Sequence, residues 1–218
     1  MQLSTYDNFL TLRRLDESLL WQLAHQTAKE DTLLSPEHGH FLPWMVNRPP
    51  TYQGRAAAFA QYHAPNLYGS PTVENWTLTF AVFANGTLVG LQSIDATSFN
   101  LCRQVSSGSW LLPKFRSTGI GTKMRQLVLA LAFDKLQAEY AKTAAVLANT
   151  ASNQVSLKVG YQTNGIEIFP DFVAGELICA KLQKYLLTHK NWQTVRPSWA
   201  DDIVYKNLTT FVSWLNET

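Results

Sequence analysis

Two glycines one residue apart, with an arginine ahead of them, make up the stretch of this chain best suited to hold a ligand. In Arg116-Ser-Thr-Gly-Ile-Gly121 the missing Cβ atoms of Gly119 and Gly121 let the main chain come close to a bound group. Downstream, Met124, Leu127, Val128, Leu131 and Leu136 recur at helical spacing, so the loop opens directly into a predicted helix. The first N–H groups of such a helix have no internal partner and sit at the positive end of its dipole. Together these features form an anion site suited to a diphosphate. The expected donors are the backbone amides of Arg116, Ser117, Thr118, Gly119, Ile120, Gly121 and Thr122, with the Arg116 side chain near the phosphates.

The loop fits neither common nucleotide motif. A Walker loop needs Gly-x-x-x-x-Gly-Lys-Ser/Thr, and the sequence has no such run. A dinucleotide fingerprint needs a third glycine where Met124 stands, and no acidic residue follows at the expected distance, since Asp134 and Glu139 fall inside or just after the helix. Around the loop, 105–112 reads as a strand ending at Pro113, and 142–148 as a buried strand followed by Asn149. A short helix then leads to Gly160-Tyr161.

This order of strand, glycine loop, long helix, strand, Asn, short helix and Gly-Tyr resembles the GNAT family of N-acetyltransferases. Its acyl-CoA pattern, Gln/Arg-x-x-Gly-x-Gly/Ala, is matched by Arg116, Gly119 and Gly121. The runs Ser107-Gly-Ser-Trp and Gly121-Thr-Lys-Met-Arg125 are similar to bacterial members. The resemblance implies an α/β (α+β) fold, with a mixed, mostly antiparallel sheet of about seven strands, an ordinary sheet size. That sheet would be splayed between its fourth and fifth strands and flanked by helices. The implied cofactor is acetyl-CoA as acyl donor, with no metal. Its pantetheine arm would lie along Trp110, Leu111 and Leu112, with Asn149 bonding an amide of the arm. A backbone N–H placed at Leu111 would polarise the thioester oxygen. Core packing is the plainer role for both leucines and is compatible with this one.

Many family members carry an acidic Tyr seven residues after the Asn, where this chain has Ser156. The RimJ/RimL-like branch instead has a Ser three residues after it, and Ser152 stands there. Its hydroxyl would assist the departing thiolate, or it would merely cap the following helix. No general base stands out; Asp95, Ser107, Ser109 and Glu74 are candidates for the cleft, Asp95 and Ser107 the ones assigned to substrate, although structural roles are plainer for each. The implied activity is acyl transfer, most simply acetyl transfer, to a small-molecule or peptide amine. Succinyl-CoA is an alternative donor. The rivals are a CoA-binding sensor or structural protein without turnover, and a nucleotide-binding protein.

With 218 residues, 46% apolar and only 16% charged, the chain suits one domain over 1–218 with a C-terminal extension from about 188. A net charge of +2 without any basic run argues against nucleic-acid or membrane partners. There is no signal-like start or membrane-length apolar run, and Cys102 and Cys179 fall on different predicted strands. The expectation is thus a reduced, cytoplasmic protein.

Ahead of the loop, a strand is expected at 9–13, then a helix led by Asp16-Glu17. A proline-broken loop at 35–50 carries His38, His40, Phe41 and Trp44. Zinc spacing is absent there, and a packed loop with solvated imidazoles is the bland alternative to acceptor contact by His38, Phe41 and Trp44. A helix at 55–68 comes next, then a hairpin about Asn85-Gly86 and a strand at 101–112. Beyond Tyr161 come strands at 165–169 and from 176, a helix capped by Thr188, and a terminal helical face at Leu208, Phe211, Val212 and Leu215. Trp199 and Trp214 would either cover the core or join a homodimer interface.

Overall fold

Among the described residues, nine strands pair side by side into one sheet. The computed structural model describes residues 1–29, 51–173 and 176–216. The strands are β1 (Gln2–Ser4), β2 (Leu10–Arg14), β3 (Trp76–Ala84), β4 (Thr87–Ala96), β5 (Gln104–Leu111), β6 (Tyr140–Val146), β7 (Gln162–Val173), β8 (Glu176–Thr188) and β9 (Val204–Lys206). Their order across the sheet is β7-β8-β6-β5-β4-β3-β2-β1-β9. Only β5 and β6 run parallel; every other pair is antiparallel. The strand count exceeds the expected seven because two three-residue strands, β1 and β9, extend one edge. Strands that short carry too little pattern to read from sequence.

The helices are α1 (Glu17–Ala28), α2 (Tyr52–His63), α3 (Ile120–Ala130), α4 (Thr150–Lys158), α5 (His189–Val195) and α6 (Thr209–Leu215). Local chemistry sets their ends: Asp16 caps α1, Thr51 caps α2 and Thr188 caps α5, each side chain accepting a first-turn N–H. The helix expected at 55–68 starts earlier and breaks at Ala64-Pro65, since proline cannot continue a helical hydrogen-bond ladder. The hairpin turn holds Asn85 and Gly86 at φ 46° and 74°, as its type demands.

Two expectations need correction, and one open alternative is answered. Residues Phe99–Cys102 form a helical turn, so the strand expected from 101 begins at Gln104 and Cys102 lies off the sheet. Residues with φ of 50° and 45°, Ser98 and Arg103, bracket that turn. Strand β6 is buried on one face only, its residues alternating from Tyr140 onward. The C-terminal extension covers the core: Ala200, Ile203 and Leu208 are buried in the main cluster and Trp199 and Trp214 pack against it. Asp134, just past α3, anchors it by accepting from Trp192 Nε1 at 2.8 Å and Arg196 Nε at 2.9 Å.

Candidate active site

The site begins where β5 and β6 part. They pair only from Gln104↔Tyr140 to Ser106↔Lys142, leaving the rest of both strands open to each other. Leu112 N–H donates to Val89 O at 2.9 Å. Antiparallel pairing alternates bonded and unbonded positions, so Leu111 N–H turns away from β4 and toward the gap. Gly90 makes this approach possible: a Cβ there would lie 2.2 Å from Trp110 O and 2.9 Å from Leu111 Cα. The sequence offered a signal for Gly90, a glycine inside a strand, which marks close backbone approach. It is absent from the expected site.

The glycine loop closes one side of the gap. Ser117 (φ 59°) and Gly119 (φ 86°) are left-handed, and Gly119 leads into α3. Arg116 N–H is used by Pro113 O at 3.1 Å and Thr122 N–H by Gly119 O at 3.1 Å. Among the described residues, the backbone amides of residues 117–121 have no hydrogen-bond acceptor. The donor row expected from Arg116 to Thr122 therefore narrows to those five. Arg116 Nε bonds Leu111 O at 3.1 Å, tying the loop to the end of β5. A Cβ on Gly121 would stand 3.7 Å from both Leu111 Cδ1 and Val155 Cγ2, so the bare position leaves room inside the cavity.

That cavity, of about 780 Å³, has Arg116, Ser117, Gly119, Gly121, Thr122 and Asn149 among its walls. Trp110 and Leu111 also line it, whereas Leu112 is 3% exposed and packs in the core, and Ile120 is likewise buried. Thr118 is exposed and bonds Phe115 O, steadying the loop from outside. Coenzyme A fits these walls on two counts: unpartnered amides for a diphosphate, and Arg116, Arg125 and Lys158 lining the cavity as cations.

A second cavity of about 450 Å³ lies on the other side of β5, walled by Phe59, Tyr62, His63, Ser107, Thr143 and Leu182 among others. Ser109, Trp110, Arg125, Asn149 and Ser152 line both cavities. The two chambers thus meet at a common set of residues. At the junction Asn149 caps α4, its Oδ1 accepting Ser152 N–H at 3.1 Å. The alternative in which Ser152 caps this helix is thereby overturned, because the helix starts at Thr150. Ser156, in the place of the usual tyrosine, is 1% exposed and donates to Ser152 O at 3.1 Å.

Ser107 lines the second cavity with its Oγ 3.1 Å from the Tyr161 hydroxyl. Burial pushes that phenol's pKa up, opposed by the Arg125 guanidinium beside it. Asp95 lines neither cavity; burial raises its carboxyl pKa while Lys142 lowers it. Glu74 is absent from both walls too. His38, His40, Phe41 and Trp44 lie outside the described residues. Among the described residues, α2, inside the 55–68 stretch, contributes Phe59, Tyr62 and His63 to the wall of the second cavity. His63 packs on Phe59 at 4.6 Å between ring centroids, and burial drives its pKa down to about 4. No spacing rule pointed to His63. Arg125 was legible in principle, being one turn beyond Gly121 on a helix whose neighbouring residues are buried. Among the described residues there is no group of three or more metal-ligating side chains, and no helix long and apolar enough to cross a membrane.

Comparison with known proteins places this geometry. The structure is similar to an apo form of RimL, a ribosomal-protein α-N-acetyltransferase, with 17% identity, TM-score 0.65, and coverage of 85% of this chain and 93% of that one. A RimL structure in complex with coenzyme A matches with 16% identity, TM-score 0.62, and 85% and 97% coverage. The spermidine N-acetyltransferase of Vibrio cholerae, in complex with CoA and spermine, matches at 13% identity, TM-score 0.62, and 85% and 98% coverage. These likenesses show a shared fold and bear out the RimL-like resemblance at that level. The family model described as an acetyltransferase (GNAT) domain matches residues 10–162, which spans the sheet from β2 through β6, the glycine loop and the Asn149 cap, so the chain belongs to the GNAT family of acetyltransferases.

Proposed function

We propose that this acetyltransferase carries an acetyl group from acetyl-CoA to a primary amine on a small molecule or peptide, by direct attack with both reactants bound, as a RimJ/RimL-like enzyme of the cytoplasm. The carrying observation is that two cavities meet at Ser109, Trp110, Arg125, Asn149 and Ser152. A sensor needs only the first chamber; a transferase needs a second reactant to reach the junction.

Acetyl-CoA would supply the acyl group as a thioester. The amides of residues 117–121 would bind the diphosphate. Asn149 spends its Oδ1 on the α4 cap, which leaves its NH2 to donate to the arm. Leu111 N–H, facing the gap, would hold the carbonyl oxygen as negative charge develops there. Ser152 Oγ would donate to the departing sulfur, directly or through water. Cavity walls of Trp110 and Phe59 would exclude water from the amine. Calorimetric titration with coenzyme A, followed by free-thiol release from acetyl-CoA across an amine panel, tests this. Uptake with thiol release is expected; uptake without release at any amine supports the sensor, and equal thermal shifts with ATP or NAD support nucleotide binding.

A further inference from the structure

Arg125 is 2% exposed, yet every partner it has among the described residues is neutral. Its Nη2 donates to Ser109 Oγ at 2.9 Å and its Nη1 to Thr143 Oγ1 at 3.3 Å, and the Tyr161 hydroxyl stands beside it. Its Nε is buried with no hydrogen-bond partner. Arginine keeps its proton in proteins, so a full positive charge sits here with no carboxylate against it among the described residues. A buried charge lacking a counter-charge is costly unless something compensates it. By contrast, the partly buried Arg196 guanidinium is matched by Asp134 and Asp201.

Position supplies the function. Arg125 lines both chambers, and it is the one charged group among the described walls of the second. The hydroxyls around it are themselves oriented: Thr143 Oγ1 donates to Ser107 O at 2.8 Å, so the guanidinium sees its lone pairs. Guanidinium geometry matches a carboxylate's two oxygens.

We propose that Arg125 binds a carboxylate carried by one of the two reactants, seated where the cavities meet. Two sources share this chemistry: the far end of a dicarboxylic acyl chain on coenzyme A, or the free carboxylate of an amine acceptor. The proposal rests on the transferase reading. The reaction is the same in both cases: the amine nitrogen forms a bond to the acyl carbon, the carbon–sulfur bond breaks, and one amine proton ends on the sulfur.

The test measures two ratios in the wild-type protein. One is kcat/KM for succinyl-CoA over acetyl-CoA with a single uncharged amine; the other, with acetyl-CoA, is kcat/KM for an amino acid over its amide. One ratio should exceed about tenfold, the size of a charge-assisted hydrogen bond, and identifies the source. In Arg125→Met that ratio should fall toward one, and Arg125→Lys should restore part of it. Wild-type ratios both near one overturn the proposal without any variant, as does a large ratio that survives in folded Arg125→Met. Failure to bind coenzyme A at all sinks the transferase reading instead.

Discussion

The two chambers on either side of β5 are built from different material. On the side proposed for the cofactor the groups that would do the holding are main-chain: amides of residues 117–121, the bare face of Gly121, and Leu111 N–H. On the side proposed for the acceptor the walls are side chains from four elements: Phe59 and His63 on α2, Ser93 on β4, Ser107 on β5 and Thr143 on β6. A main-chain site is set by local conformation and needs few particular side chains beyond its glycines. A side-chain site depends on how separate elements pack. The first is therefore tolerant of everything except a Cβ in the wrong place, and the second is sensitive to burial and charge.

The largest expected effect comes from putting a side chain into the main-chain half. Gly121→Leu should weaken coenzyme A binding about a hundredfold, the equivalent of one or two hydrogen bonds to a charged group. The fold should persist, because the nearest atoms to an added Cβ are 3.7 Å away and glycine is a poor helix residue. Titration calorimetry beside a thermal melt checks both halves; unchanged affinity in a folded variant would remove Gly121 from the cradle.

The same contrast explains what the sequence could disclose. Gly119 and Gly121 were readable because they fall in one contiguous run, where Gly119 takes a positive φ and Gly121 leaves a bare face at the cavity. Asn149 was readable through its place between a strand and a helix. Gly90 escaped because its duty is to β5, some twenty residues on. His63 escaped because nothing in the sequence of α2 says that its last turn faces the end of β5. The edge strands β1 and β9 escaped for the same reason: Gln2–Ser4 is a strand by virtue of its partners at 11–13 and 204–206. The cap at Asn149 also shows that a hydroxyl near the start of a predicted helix is not thereby its cap. Register of one turn decided it.

An intermediate effect should come from acid acting on the acceptor side. Desolvation holds His63 neutral, with its pKa at about 4 against an ordinary 6.5. The unfolded chain therefore takes up a proton between those two values that the native protein refuses. Stability from this group is complete above the unfolded pKa and is lost as pH falls toward the folded one. Between pH 7.5 and pH 5 the wild type should lose roughly 2 kcal/mol from this group. Denaturant midpoints for His63→Gln should fall less over that interval; parallel curves for the two proteins would mean that His63 titrates normally.

The smallest effect belongs to the junction, where the two kinds of construction meet. Ser152 contributes its backbone N–H to the Asn149 cap, while its side chain is left for chemistry. Ser152→Ala keeps that N–H, so α4 and the cofactor cleft should survive intact. Losing one neutral donor to a departing sulfur should lower kcat by about tenfold, within the range of a single hydrogen bond. The affinity for coenzyme A should stay within twofold, because on the proposed reading other groups hold the diphosphate. Single-turnover thiol release resolves the chemical step from product release. If that step is unchanged, the proton reaches the sulfur without Ser152, and the junction serves only to let the two reactants touch.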